Sequence, residues 1–214
     1  TAAMRRLAPR WGLVDQPAAR KMHTSPTPLG GGIGIWLGIV VPLALTQVVA
    51  LLLSHTSKLS GWFPAEFKFL LDGIVHRSGQ MWAIIAGGTI LAVMGLIDDL
   101  CDLPWLRRLL VQLAVAVALT LAGVRATLFV SIPWLGGAVT VLWILVLVNA
   151  FNFLDNMDGL SAGIGLIAAA MFAVVMLRMT SEPRWLVGGV LMVMVGSLAG
   201  FLCHNRAPAR IFMG

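Results

Sequence analysis

Long apolar runs alternate with short polar clusters along this chain. Charge-free windows of the roughly 20 residues needed to cross a bilayer fall at 22–57, trimmed to about 33–53 by the prolines and glycines before it, and at 78–97, 126–154, 159–177 and Trp185–Asn205. A further window at 109–124 is short, but Arg108 and Arg125 at its two ends can snorkel to the interfaces. The pattern predicts an all-α, polytopic helical membrane protein with about six transmembrane helices.

With six crossings both ends of the chain share one side. That side holds the cytoplasmic segments 1–32, 98–108, 149–160 and 204–214 of a single membrane domain, and Lys and Arg number nine there against six opposite. The bias makes it the cytoplasmic side. The acids divide more sharply: Asp15, Asp98, Asp99, Asp102, Asp155 and Asp158 fall on this side, with Glu66, Asp72 and Glu182 opposite.

Composition then excludes other classes. At 59% hydrophobic and 11% charged residues the chain is no ordinary soluble domain. The net charge of +6 comes from residues flanking spans, so it reads as topology and as affinity for anionic head groups or phosphates, with no nucleic acid. Residues 1–28 are basic and proline-rich, which is not the pattern of a signal peptide. Cys101 and Cys203 lie at span ends without motif spacing and read as unpaired, and Trp36, Trp82, Trp134, Trp143 and Trp185 read as interfacial anchors.

Four polar motifs carry the candidate chemistry. VDQPAARKMHTSPTPLGGG, residues 14–32, is too rich in proline and glycine for a regular helix; Arg20, Lys21 and His23 offer phosphate donors, and Gly30 to Gly32 allow close backbone approach. GLIDDLCDLPWLRR, residues 95–108, sets Asp98 and Asp99 about 100° apart on a helix, so one can hold a cation while the other orients a substrate. A structural ion-pair cluster with Arg107 and Arg108 is the alternative. In NAFNFLDNMDGLSAG, Asn149, Asn152, Asp155 and Asp158 recur every third residue at the end of a charge-free stretch. On an α-helix the last three fill an arc of about 120°, and a 3₁₀ turn would stack them. Carboxylates at such a depth need a partner, a cation or water, and an oxygen set of this kind suits Mg²⁺, with Mn²⁺ the alternative. Capping of the next helix accounts for Asp158 alone. HNRAPARIFMG, residues 204–214, adds Arg206, Arg210 and His204.

Taken together and in order, these motifs resemble the polyprenyl-phosphate N-acetylhexosamine-1-phosphate transferases of the WecA/TagO type, within glycosyltransferase family 4 and the phospho-MurNAc-pentapeptide transferase superfamily. The likeness runs over nearly the whole chain. DQPAARKMHTSPTPLGGG is similar to that family's first cytoplasmic loop, GLIDDL to its Asp-Asp motif, NAFNFLDNMDGLSAG to its NAxNxxDGxDGLAxG motif, and HNRAPARIFMG to the beginning of FNxxPAxIFMGDxGS. Asn156 stands where the family usually has glycine. The resemblance implies a span before Thr1, and after Gly214 a further aspartate and a histidine-containing loop.

It also implies a function: transfer of a sugar 1-phosphate, GlcNAc-1-phosphate foremost, from a UDP-sugar to undecaprenyl phosphate, for cell-envelope polysaccharide such as lipopolysaccharide or teichoic acid. The location implied is the bacterial inner membrane, with the oligomeric state open and a homodimer among the options. Asp98, Asp99 and Asp155 would hold Mg²⁺, Asp158 would join them in catalysis, and Arg20, Lys21, His23, Asn149, Asn152, Arg206 and Arg210 would bind substrate. Phospho-MurNAc-pentapeptide transfer is the alternative chemistry. An ion-coupled transporter is the alternative from another class, but its carboxylates belong near the bilayer midplane.

Overall fold

The computed structural model describes residues 1–15, 26–55, 73–125 and 132–213. The chain opens with a short helix α1 (Ala2–Leu7), a 3₁₀ turn (Ala8–Trp11) and a ribbon in which Val14 pairs with Pro28 and Asp15 with Thr27. Among the described residues six longer helices follow: α2 (Gly31–His55), α3 (Ser78–Cys101), α4 (Trp105–Leu121), α5 (Pro133–Leu154), α6 (Leu160–Val174), which runs on as a π-helical turn (Val175–Met179), and α7 (Trp185–Asn205). Each packs against its neighbours in sequence, and α7 closes the ring against α2. The chain is an all-α, multi-pass membrane protein.

Among the described residues five helices are long and apolar enough to span by themselves, and α4 is not one of them. It nonetheless lies alongside the two helices that flank it in sequence. Gly87 of α3 lies against Val115 and Leu119, Gly123 beyond the end of α4 lies beside Gln80, and Gly137 of α5 lies against Thr120, so α4 runs antiparallel to both over its full length. Its 17 residues cover about 26 Å, a little short of a hydrocarbon core of roughly 30 Å, and Arg107 and Arg108 in its first turn reach the interface. Asn149 Nδ2 donates to the buried Gln112 Oε1 at 2.8 Å and fixes the α4–α5 seam.

The buried core sits at the end of the bundle where the acids lie. Met4, Ala162, Leu198, Phe201 and Ile211 form it, with Ile33, Ile35, Leu166, Leu202 and Met213 packed around. Elsewhere large apolar side chains face outward, among them Leu45, Leu52, Leu142 and Met171. Water would penalise that surface and hydrocarbon does not.

Two boundaries and one side chain differ from the sequence expectation. The loop anticipated at 98–108 shrinks to residues 102–104, because α3 continues through Asp98 and Asp99 to Cys101. Segment 14–32 is only partly irregular: α2 starts inside the glycine run, where the Gly31 and Gly32 N–H groups donate to Phe212 O at 2.9 Å and Met213 O at 2.7 Å. Those carbonyls satisfy donors that a helix start leaves open. Trp36 is no simple anchor, since its Nε1 donates to Thr89 Oγ1 across the α2–α3 contact at 2.9 Å. The other expected anchors, Trp82, Trp134, Trp143 and Trp185, are exposed.

Candidate active site at the acid-bearing rim

At one rim of the bundle, α3, α5 and α7 end and α2, α4 and α6 begin. Asp98 and Asp99 ride the last turn of α3 and diverge as helix geometry demands. Asp98 turns to the α3–α4 hairpin: its Oδ1 accepts from Leu103 N at 2.9 Å and its Oδ2 from Arg108 Nη1 at 2.7 Å. The hairpin needs this brace, since Asp102 at the turn adopts the left-handed region at φ +46°, which Asp tolerates better than most residues. Asp98 is therefore the structural ion pair, and Asp99 is left exposed at the rim.

Asp155 caps the C-terminus of α5 and is half-buried. Burial foremost, and then the charge of Asp99, push its carboxyl from the usual 3.8 up to about 7. The ribbon brings Asp15 to the same rim. The three-residue series does not stack on one face. Asn149 lies deeper in α5 and gives its amide N–H groups to Gln112 Oε1 and Leu145 O; Asn152 is exposed on the next turn; and Asp158, past the helix end, accepts from Ala209 N at 3.0 Å. The α6 N-cap is Gly159, with no side-chain cap bond, so Asp158 serves the 206–213 segment and not helix α6. Asn156 donates its amide to Phe153 O and keeps a negative φ, so the turn does not need glycine there.

Arg206 and Arg210 are exposed and line a cleft of about 330 Å³ with Cys203, His204, Ala207 and Pro208. Arg20, Lys21 and His23 lie outside the described residues. Gly31 and Gly32 do allow a close approach, but what approaches is the chain itself: a β-carbon on Gly31 would collide with the Phe201 ring and lie 2.6 Å from Phe212 O.

The sequence expects Asp98, Asp99 and Asp155 to share a cation, and all three stand at this rim. Among the described residues no three His, Cys, Asp or Glu side chains are grouped to hold a metal ion, and Asp98 is diverted to Leu103 and Arg108. What remains is the pair Asp99 and Asp155, repelling one another at the rim. That donor set fits a hard divalent cation that keeps waters and draws further ligands from phosphates. Two residues that hold this end of the bundle together carry no charge-based signal in sequence. One is Gln112, the partner of Asn149. The other is Asn205, whose Oδ1 accepts from Gly159 N and whose Nδ2 donates to Ile211 O.

The chain is similar to known proteins over its whole length. Residues 81–214 match the profile of the glycosyl transferase family 4. The chain is 32% identical over its whole length to a Bacillus subtilis protein named as a probable undecaprenyl-phosphate N-acetylglucosaminyl 1-phosphate transferase, covering 54% of that protein. It is 33% identical, again over its whole length, to the decaprenyl-phosphate N-acetylglucosaminephosphotransferase of Mycobacterium tuberculosis, covering 52%. A Desulforudis audaxviator phospho-N-acetylmuramoyl-pentapeptide-transferase is 31% identical over 91% of the chain and is covered to 59%. The chain thus spans about half the length of the curated relatives it matches. With a profile match over most of its length and relatives aligned from end to end, this chain belongs to glycosyl transferase family 4.

Proposed function

We propose that the full-length protein transfers N-acetylglucosamine 1-phosphate from its UDP-sugar to a polyprenyl phosphate, undecaprenyl phosphate in the first instance, at the cytoplasmic face of a bacterial inner membrane. The observation that carries the reading is the meeting of Asp99 and Asp155 from separate helices at one rim, in a chain aligned end to end with transferases so named. In the reaction an oxygen of the lipid phosphate forms a bond to the β-phosphorus of the UDP-sugar. The bond from that phosphorus to the bridging oxygen breaks, and UMP leaves.

Both substrates are anionic, so the barrier is largely one of bringing like charges together. Asp99 and Asp155 would hold Mg²⁺, or Mn²⁺ in its place, and the ion would supply charge neutralisation at the phosphates. Arg206 and Arg210 line a cleft beside the Asp158–Ala209 contact and suit phosphate oxygens. Asp98 keeps the hairpin in shape, so that Asp99 is presented to the rim. Arg20, Lys21 and His23 are the remaining candidate phosphate donors, and Asn152 the exposed amide of the α5 end.

Transfer of phospho-MurNAc-pentapeptide is the second reading, favoured by the Desulforudis audaxviator relative. Membranes carrying the full-length protein are to be incubated with undecaprenyl phosphate, Mg²⁺ and either radiolabelled UDP-N-acetylglucosamine or UDP-MurNAc-pentapeptide. A tunicamycin-sensitive, solvent-extractable product from the first donor is expected. Product from the second alone selects the other reading, and product from neither removes both.

A further inference from the structure

Asn205 is buried to 4% exposure at the end of α7, where three separately encoded segments meet. Its Oδ1 accepts from Gly159 N at 3.0 Å, and its Nδ2 donates to Ile211 O at 2.9 Å. Gly159 sits at φ +71°, a backbone state that L side chains rarely adopt, so its N–H points in a direction fixed by the Asp155–Asp158 turn. Ile211 is wholly buried in the core with Met4, Ala162, Leu198 and Phe201. The path continues from there: Phe212 N donates to Pro28 O, and Phe212 O and Met213 O accept from Gly31 and Gly32. A parallel strut ties Ala209 N to Asp158 Oδ2.

We infer that Asn205 is a positioning residue: its two-ended amide sets the Asp155–Asp158 turn in register with residues 206–213 and the start of α2, and so orients the acids for phosphosugar transfer. The inference rests on the proposed transfer for its kinetic part only. Asn205 is distinct from a substrate contact because both polar ends of its side chain already serve the protein. A near-isosteric apolar side chain would leave a partly buried N–H and a buried C=O without partners, and the turn would shift to find others.

The test uses the full-length protein with Asn205→Leu, Asn205→Asp and, as a control, Thr89→Val, which removes a polar contact far from the rim. Misplacement of a catalytic group costs about tenfold to a hundredfold in rate. Asn205→Leu should lower kcat by that much with little change in KM for the nucleotide sugar, beyond any loss shown by Thr89→Val at matched Tm. Asn205→Asp retains the acceptor for Gly159 N and should recover part of the rate. Hydrogen exchange in Asn205→Leu should accelerate in residues 155–163 and 206–213 together, with 98–108 unchanged.

A rise in KM at unchanged kcat and unchanged exchange marks a ligand contact and overturns the inference. So does a kcat loss no larger than the control's, or acceleration in only one of the two segments. The exchange arm needs no turnover. A wild-type protein that yields no lipid product therefore removes the transfer reading, while exchange still decides the register.

Discussion

Asp98 and Asp99 are adjacent, identical in chemistry and different in task. The reason is the roughly 100° between neighbours on a helix, which turns one carboxylate to Leu103 N and Arg108 and leaves the other at the rim. Asp98→Ala should therefore destabilise the protein by about 1–2 kcal/mol, a partly exposed ion pair plus a charge-assisted bond to a backbone amide. Asp99→Asn should leave Tm unchanged or raised, since it removes a repulsion with Asp155, while abolishing transfer; thermal unfolding beside turnover separates the two. Asp155 adds a dependence on pH. Its folded pKa of about 7 lies above the ordinary 3.8, first through burial and then through Asp99, so the fold favours the protonated form. Its stabilising contribution is complete below 3.8 and is lost as pH rises through about 7. Asp155→Asn should thus raise Tm over wild type by an amount that grows between about pH 4 and pH 7 and levels off above, as a differential-scanning series would show; a difference that shrinks over that range refutes the assignment.

At the scale of elements, the apolar windows located the spans, because hydrocarbon demands long uncharged helices and the chain has no cheaper way to satisfy its backbone. What the windows could not mark is where a helix stops once it leaves the hydrocarbon. Charge at Asp98 signals the membrane boundary, and α3 nonetheless runs on to Cys101. The candidate acids were legible because charge beside a span is rare. Asn205 and Gln112 were not, since a neutral amide discloses its task only through partners distant in sequence. The glycine run falls between these cases: its need for close approach was readable, and its partner, the 212–213 backbone, was not. Gly31→Ala should cost about 1–3 kcal/mol, since the new methyl meets the Phe201 ring and the rigid Phe212 carbonyl. Gly88→Ala in α3, where nothing lies within 4 Å, should be neutral or stabilising by about 1 kcal/mol. Unfolding by a graded detergent titration compares them, and equal effects would contradict the packing described.

For the molecule as a whole, the decisive element is α4, the helix too short to qualify as a span by length and composition. Its crossing sets the parity of everything that follows. With α4 across the membrane, Cys101 at the end of α3 and Cys203 near the end of α7 lie on the same side, three helix pairs closing on one rim. With α4 lying along the surface, α5, α6 and α7 would each reverse, and the two cysteines would face opposite compartments. Both thiols are free and exposed, so the native residues report the answer. A membrane-impermeant maleimide should modify single-cysteine variants retaining Cys101 or Cys203 in inverted membrane vesicles and spare both in intact cells. A cysteine introduced at the exposed Gly79, at the far end of α3, should show the reverse. Labelling of Cys101 and Cys203 from different compartments would mean that Asp155 and Asp158 are separated from Asp99 by the bilayer, and two anionic substrates could not then meet between them.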